Sequence, residues 1–176
     1  MMSALQLEQF DAKQLQAHLP DFVTLLQETI NGGASLGFLP PLSADETDKY
    51  WQKVEGELAK TNVLLFCVLD KGKVVATVQL QPSVRANARH RAEVAKLMVA
   101  PSHRRRNIAR QLMAYLERKA VFHGWTTLTL DTRAGDPSNL LYTSLGYVLV
   151  GQIPQYAYSA PGKFHTTAFY YKLLEE

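Results

Sequence analysis

Only one of the 176 residues is cysteine, Cys67. No internal disulfide can form, and the fold must rest on its apolar core. The place of Cys67 in the apolar run Leu64 to Leu69 marks it as a small buried hydrophobe. Charge is sparse too: 19 basic and 16 acidic side chains leave a net +3, short of the surplus that general nucleic-acid binding needs. No apolar run approaches the roughly 20 residues that span a bilayer, and no charged-then-apolar leader opens the chain. A soluble, cytoplasmic protein is therefore expected. His18, His90, His103, His123 and His165 show no metal-ligand spacing, so no metal site is expected. Neither G-x-x-x-x-G-K-S/T nor a G-x-G-x-x-G after a strand occurs, which excludes the two best-known phosphate loops. There is no internal repeat and no low-complexity tract.

Hydrophobic residues make up 47% of the chain, enough for one substantial core, and residues 1–176 read as a single domain. Ser3 to Phe10 reads as a first strand. From Asp11 onward, Leu15, Leu19, Phe22, Leu25, Leu26 and Ile30 form a helical stripe that Pro20 interrupts, giving a break or two short helices. In the loop Asn31 to Pro41, the apolar Leu36, Phe38 and Leu39 either pack beneath the domain or wall a pocket. Ser43 is placed to cap a helix with Asp45 and Glu46 in its first turn and Tyr50, Trp51, Val54 and Leu58 on its apolar face. Asn62–Leu69 and Lys73–Leu80 read as a hairpin about Asp70, Lys71 and Gly72. Pro82 to Arg91 is a polar loop whose Arg85, Arg89, His90 and Arg91 form a solvated rim. Further strands are expected at Trp125–Asp131, Tyr147–Ile153 and Phe164–Leu173. A short helix is expected at Pro137–Ser144, stopped by Gly146, with loops at Thr132–Ser138 and Pro154–Gly162. The order β, α, α, β, β, β, α, β, α, β, β predicts a mixed α/β sheet with helices on its faces.

The most informative stretch is Ala92 to Tyr115, AEVAKLMVAPSHRRRNIARQLMAY. Glu93, Ala95, Leu97 and Val99 alternate with Val94, Lys96 and Met98 as in a strand, and Pro101 with Ser102 ends it. Ile108, Leu112, Tyr115, Leu116, Lys119 and Ala120 then recur at spacings of three and four, one mostly apolar helix face. Between strand and helix lie His103, Arg104, Arg105, Arg106 and Asn107. The first turn of a helix leaves four N–H groups without intrahelical acceptors and carries about half a positive charge. Three consecutive arginines add charge-assisted donors. Such a junction attracts a phosphate or pyrophosphate.

This segment resembles the acetyl-CoA loop of the GNAT superfamily of N-acetyltransferases. The family signature Q/R-x-x-G-x-G/A stands here as Arg104, Arg105, Arg106, Asn107, Ile108 and Ala109, after a strand ending Leu-Met-Val-Ala-Pro at 97–101. Asn107 departs from the usual Gly, and Asn is the non-glycine residue best able to hold a left-handed turn. The likeness covers nearly the whole chain. It implies a GNAT fold, a mixed and mostly antiparallel sheet flanked by helices with splayed central strands, and acetyl-CoA as co-substrate. The implied cofactor contacts are the backbones of Leu97, Met98 and Val99, the run Arg104, Arg105, Arg106, Asn107, Ile108, Ala109 and Arg110, and Asp136 and Asn139 beyond it. Asn139 to Tyr147, NLLYTSLGY, is similar to the family's A-x-x-L-Y-x-x-x-G-F/Y block. There the tyrosine, here Tyr142, protonates the CoA sulfur, a task that suits a phenol neutral at pH 7. Glu93 and Asp131 each stand where some members carry a general base, acting directly or through a water. AKLMVAPSHRRRNIARQLM, LTLDTRAGDPSNLLYTSLGY and PQYAYSAPGKFHTTAFYYKLL together resemble the subgroup that includes the tabtoxin-resistance acetyltransferase, which modifies a small β-lactam amino-acid toxin. That likeness implies a small amine or amino-acid-like acceptor and a role in antibiotic or toxin resistance. Leu36, Phe38, Asp131 and Tyr156 are the candidates for the acceptor side. A homodimer is expected on family likeness alone.

A protein or peptide N-terminal acetyltransferase is the rival within this class. Outside it stands a noncatalytic acyl-CoA or nucleic-acid binding module using Arg104 to Arg106 and Arg85 to Arg91. Tyr142 with two carboxylates favours an enzyme, because binding alone requires none of them. No aromatic residue interleaves the arginines, so nucleic acid is not an expected partner, and without an apolar run of spanning length neither is a membrane.

Overall fold

A computed structural model describes residues 5–160 and 162–175. In chain order its elements are β1 (Gln6–Phe10), α1 (Ala12–Ala17), α2 (Leu19–Asn31), α3 (Ala44–Ala59), β2 (Leu64–Asp70), β3 (Lys73–Pro82), β4 (Arg91–Val99), α4 (Ile108–Phe122), β5 (Thr127–Arg133), α5 (Ser138–Ser144), β6 (Val148–Ala160) and β7 (Lys163–Leu173). Short 3-10 turns occur at Ala86–Ala88 and Pro101–His103.

Local chemistry sets the boundaries. The Gln14 N–H donates to the Asp11 carboxylate and the Asp11 N–H donates to the Gln14 side chain, a capping box that starts α1. Pro20 sits in the first turn of α2, where its missing N–H has no helical partner to lose, so the interrupted stripe resolves into two helices. Ser43 and Glu46 form a second capping box at α3. The strand expected from Ser3 begins at Gln6, Ser3 itself lying outside the described residues.

The segment Pro154–Gly162 corrects the sequence reading. Instead of a loop, β6 continues to Ala160 and pairs with β7. The pairing skips from Ile153 to Ala157, and Gln155 takes φ 54°. A bulge thus absorbs Pro154, whose missing N–H is tolerated on an edge strand.

The strands form one seven-stranded sheet ordered β1-β2-β3-β4-β5-β7-β6. Every neighbouring pair is antiparallel except β4 with β5. That parallel pairing is short, Arg91–Glu93 against Thr127–Thr129, and beyond it the two strands part. This is the architecture the sequence resemblance implies.

The core lies on both faces of the sheet. Leu64, Phe66 and Val68 of β2 join Leu112 and Leu116 of α4, whereas Leu65, Cys67 and Leu69 join Phe22 and Trp51 beneath α1–α3. Burial on both faces explains the unbroken apolar run of β2. Burial also pushes the Cys67 thiol well above its ordinary range, so it stays a neutral core group. The cluster under α1–α3 draws its buried residues from β1 to β4 and none from β5 to β7. Those helices therefore cover half of their face of the sheet, and the uncovered half begins where β4 and β5 part.

Candidate active site

The turn between β4 and α4 is shaped for an anion. Arg105 (φ 60°) and Asn107 (φ 62°, ψ 13°) are both left-handed, a conformation Asn holds at less cost than most residues. Asn107 makes no side-chain cap to α4, and the first turn of this 15-residue helix carries no acidic residue. Its leading N–H groups are left for an external acceptor. A cavity of about 350 Å³ lies there, lined by Arg104, Arg105, Asn107, Ile108, Ala109 and Arg110, with Ser138 and Leu141 opposite. Arg106 is directed elsewhere: its guanidinium lies 3.8 Å from Asp70, which also meets His103 Nε2 at 3.0 Å. Two of the three arginines face the cavity, and the third braces the turn against the β2–β3 hairpin.

Beside it, a cleft of about 390 Å³ occupies the gap between β4 and β5. Met98 pairs with Thr77 and Ala95 with Gln79, three steps on β4 against two on β3. The extra residue is a bulge at Lys96 and Leu97, with Lys96 at φ 56°. Past the bulge, the Ala100 N–H donates to the Val75 carbonyl at 2.8 Å. Strand alternation then turns the N–H and C=O of Val99 to the opposite edge, into the gap. The Val99 carbonyl accepts from Arg104 Nε at 3.3 Å, which leaves the N–H aimed at the cleft. The Met98 side chain is buried under α1–α3, so what Met98 offers the cleft is backbone.

From the other wall, α5 brings Tyr142 to the cleft. The side chain is 6% exposed, packed against Tyr147 and Tyr170. Burial, and then the charge of Asp131, push its phenol far above the ordinary value, so the hydroxyl keeps its proton at neutral pH. Asp136 lines the cleft while paired to Arg133 Nε at 2.9 Å. Asn139 lines none of these cavities. Its amide donates to the carbonyls of Arg133 and Asp136 at 2.9 and 2.8 Å and accepts from the Tyr170 hydroxyl at 2.8 Å, shaping the loop that carries Asp136.

A further cavity of about 430 Å³ adjoins the cleft and shares Leu36, Lys96 and Asp131 with it. Leu36, Phe38 and Leu39 form one wall, Tyr156 and Tyr158 of β6 another. Leu36 and Phe38 also pack against the α1–α3 core, so the loop does both things its sequence allows. Three hydrogen bonds hold that loop across the splay. Arg133 donates to the Gly33 carbonyl at 2.8 Å, Ser35 Oγ meets His165 Nε2 at 3.1 Å, and Lys96 Nζ donates to the Leu36 carbonyl. Glu93 and Asp131 both line this cavity, and Asp131 alone of the two also lines the cleft with Tyr142. Partial burial raises both carboxyl pKa values above the usual range; the charge of Asp131 raises Glu93 further, and Lys96 opposes the rise in both.

The chain matches the acetyltransferase (GNAT) family over residues 26–147. It belongs to that family. The GNAT enzyme is 27% identical over 117 residues to an uncharacterized N-acetyltransferase in the hisH-hisA intergenic region of Azospirillum brasilense, a span of 65% of this chain and 68% of the relative. Among solved structures, a putative phosphinothricin N-acetyltransferase superposes with a TM-score of 0.79 at 20% identity, covering 98% of this chain and 100% of its own. The ribosomal-protein-alanine N-acetyltransferase from Brucella melitensis does so with a TM-score of 0.78 at 20% identity, covering 96% and 99%. At these identities the structural likeness shows the shared fold.

As a GNAT acyltransferase the enzyme uses acetyl-CoA, which supplies a thioester acyl group. The uncapped α4 N-terminus with Arg104, Arg105 and Arg110 has the donor set a pyrophosphate needs, and the Val99 N–H is oriented for an extended ligand in the gap. Among the described residues no helix is long and apolar enough to cross a membrane.

The sequence reading passes over Lys96, Arg133, Ser35 and His165. Regular alternation gives Lys96 no special place, and His165 meets Ser35 across 130 positions. No local pattern encodes either; only the Lys96 charge, in the middle of an apolar strand, offered a signal.

Proposed function

We propose that this GNAT enzyme acetylates the amine of a small, amino-acid-like molecule in the cytoplasm, with β-lactam amino-acid toxins among the acceptors. The observation that carries this reading is the acceptor cavity, about 430 Å³ beneath the Ser35–Leu39 segment, a volume suited to a small ligand. Asp131, lining both cavity and cleft, takes the proton of the acceptor ammonium directly or through a water, and a pKa held above the ordinary carboxylate range makes it a better base than a free carboxylate. Glu93 is the second carboxylate, holding the positive charge of the incoming amine. As the neutral amine attacks the thioester carbonyl, strand N–H groups in the gap, that of Val99 among them, face the developing oxyanion. Tyr142 passes its proton to the departing sulfur. The narrower sequence resemblance to the tabtoxin-resistance subgroup supports a small acceptor.

One feature favours a second reading. A groove of about 590 Å³ runs from Glu93 and Asp131 across the open face of β5, β7 and β6, past Tyr156, Phe169 and Val150. A peptide lying there presents its N-terminal amine to the same carboxylates. The deciding experiment is CoA release from acetyl-CoA against amino acids, small amines, β-lactam dipeptides and short peptides, with Tyr142→Phe alongside. Turnover of a small amine that collapses in the variant supports the first reading. Turnover confined to peptides moves the acceptor to the second, and acetyl-CoA binding without any turnover overturns both.

A further inference from the structure

The acceptor cavity holds a cation that none of the roles above uses. Ala92 and Val94 belong to the core under α4, whereas Met98, four residues on, belongs to the core under α1–α3. With unbroken alternation residues 92, 94, 96 and 98 would share one face. The bulge reverses the phase between them and carries the Lys96 side chain over to the Leu36–Phe38 loop, where Nζ donates to the Leu36 carbonyl and lies 5.5 Å from the Phe38 ring centroid. A lysine at φ 56° is an uncommon conformation, and bulges of this kind re-aim a side chain beside a site.

The other basic side chains of this cavity are occupied. Arg133 is paired with Asp136 at 2.9 Å and donates to Gly33 at 2.8 Å, and His165 meets Ser35 at 3.1 Å. Lys96 makes no ion pair among the described residues and uses one of its three donors on a neutral carbonyl. Burial pulls its pKa down, while the charges of Asp131 and Glu93 push it back up. Lys96 and Asp131, opposite in sign, are the two charged side chains besides Arg133 that line both the cleft and the acceptor cavity.

We propose that Lys96 is the specificity-determining residue of the acceptor site: its ammonium receives an anionic group that the acceptor carries next to its reactive amine. Asp131 and Glu93 take the ammonium end and Lys96 the anion, so the site selects a zwitterion. A plain acid meets two carboxylates without a compensating charge, and a plain amine leaves Lys96 unmatched. This rests on the small-molecule reading above and adds the charge pattern of the acceptor.

The test pairs each amino acid with the amine that lacks its carboxylate, such as leucine with 3-methylbutylamine and phenylalanine with phenethylamine. CoA release gives kcat/KM for wild type, Lys96→Met and Lys96→Arg. Wild type should favour the amino acid by about 10- to 100-fold, the range of a hydrogen bond to a charged group. Lys96→Met should bring that ratio to within about threefold of unity, chiefly through the KM of the amino acid, and Lys96→Arg should restore part of it. A wild-type ratio near one overturns the proposal without any variant, so a folding defect in Lys96→Met cannot shelter it. An unchanged ratio in Lys96→Met overturns it as well and leaves Lys96 as a brace for the loop. If wild type binds acetyl-CoA yet turns over neither member of any pair nor a β-lactam dipeptide, the small-molecule reading itself fails, and the proposal with it.

Discussion

The two ends of the site are built on opposite principles. The cofactor end is contiguous in sequence: Arg104 to Arg110 supply the turn, the charges and the helix N-terminus within one peptide segment, combining backbone N–H groups with guanidinium donors. The acceptor end is assembled from the Ser35–Leu39 loop, β4, β5 and the β6–β7 hairpin, and its chemistry lies in side chains. A site made within one turn depends on the conformation of that turn as well as on the charges it carries. A site made of side chains from distant segments tolerates neither the loss of a charge nor a shift of the loops that present it.

That contrast can be broken by substitution. The largest effect is expected at the acceptor end, where Asp131→Asn should lower kcat by about 100- to 10,000-fold with acetyl-CoA binding intact. Glu93→Gln should cost less, because Glu93 lines the acceptor cavity but not the cleft. If the two effects are reversed in steady-state kinetics, the base is Glu93. Tyr142→Phe should lower kcat by roughly 100-fold with little change in the KM for acetyl-CoA.

At the cofactor end, conformation should matter as much as side-chain charge. Asn107→Gly should leave acetyl-CoA affinity unchanged in titration calorimetry. Asn107→Val, which cannot hold φ 62° comfortably, should cost about 1–2 kcal/mol, near tenfold in affinity. Arg104→Ala should weaken acetyl-CoA about tenfold and Arg106→Ala by less than about threefold, because Arg106 is turned to Asp70. Equal losses would show that Arg106 leaves Asp70 when the cofactor binds.

The subtlest effect is in pH dependence. If Asp131 is the base, as proposed, it must be ionised to accept a proton; burial holds its pKa above the usual carboxylate range, so activity should fall on the acid side at a higher pH than a free carboxylate would give. Lys96 lowers that pKa, so Lys96→Met should move the acid limb of kcat/KM to higher pH. A limb that stays in place would argue against Asp131 as the base.

Much of the fold was legible from periodicity and caps. The Asp11 and Ser43 capping boxes, the β2–β3 hairpin and the amphipathic α4 all lie where short-range pattern puts them. β6 was misread beyond Ile153 because Pro154 and Gly162 are strong loop signals, and only pairing to β7 with a bulge at Gln155 overrides them. Within the site, nothing local distinguishes Arg106 from its neighbours, since its partner Asp70 lies 36 positions away, and the Asn139 amide is engaged by the Tyr170 hydroxyl and two carbonyls that the local pattern does not reveal.

The sequence alone determined the order of elements, the basic turn ahead of a helix and the placement of Tyr142 and two carboxylates, because each is fixed by interactions within a few residues. The tertiary structure decided which of those groups share a cavity. The short β4–β5 pairing opens the gap, the bulge turns Lys96 across the strand, and the Ser35–Leu39 loop closes over the acceptor side through bonds to residues 60 to 130 positions away. Those contacts depend on how sheet twist and packing bring distant segments together, which no local run of residues can specify.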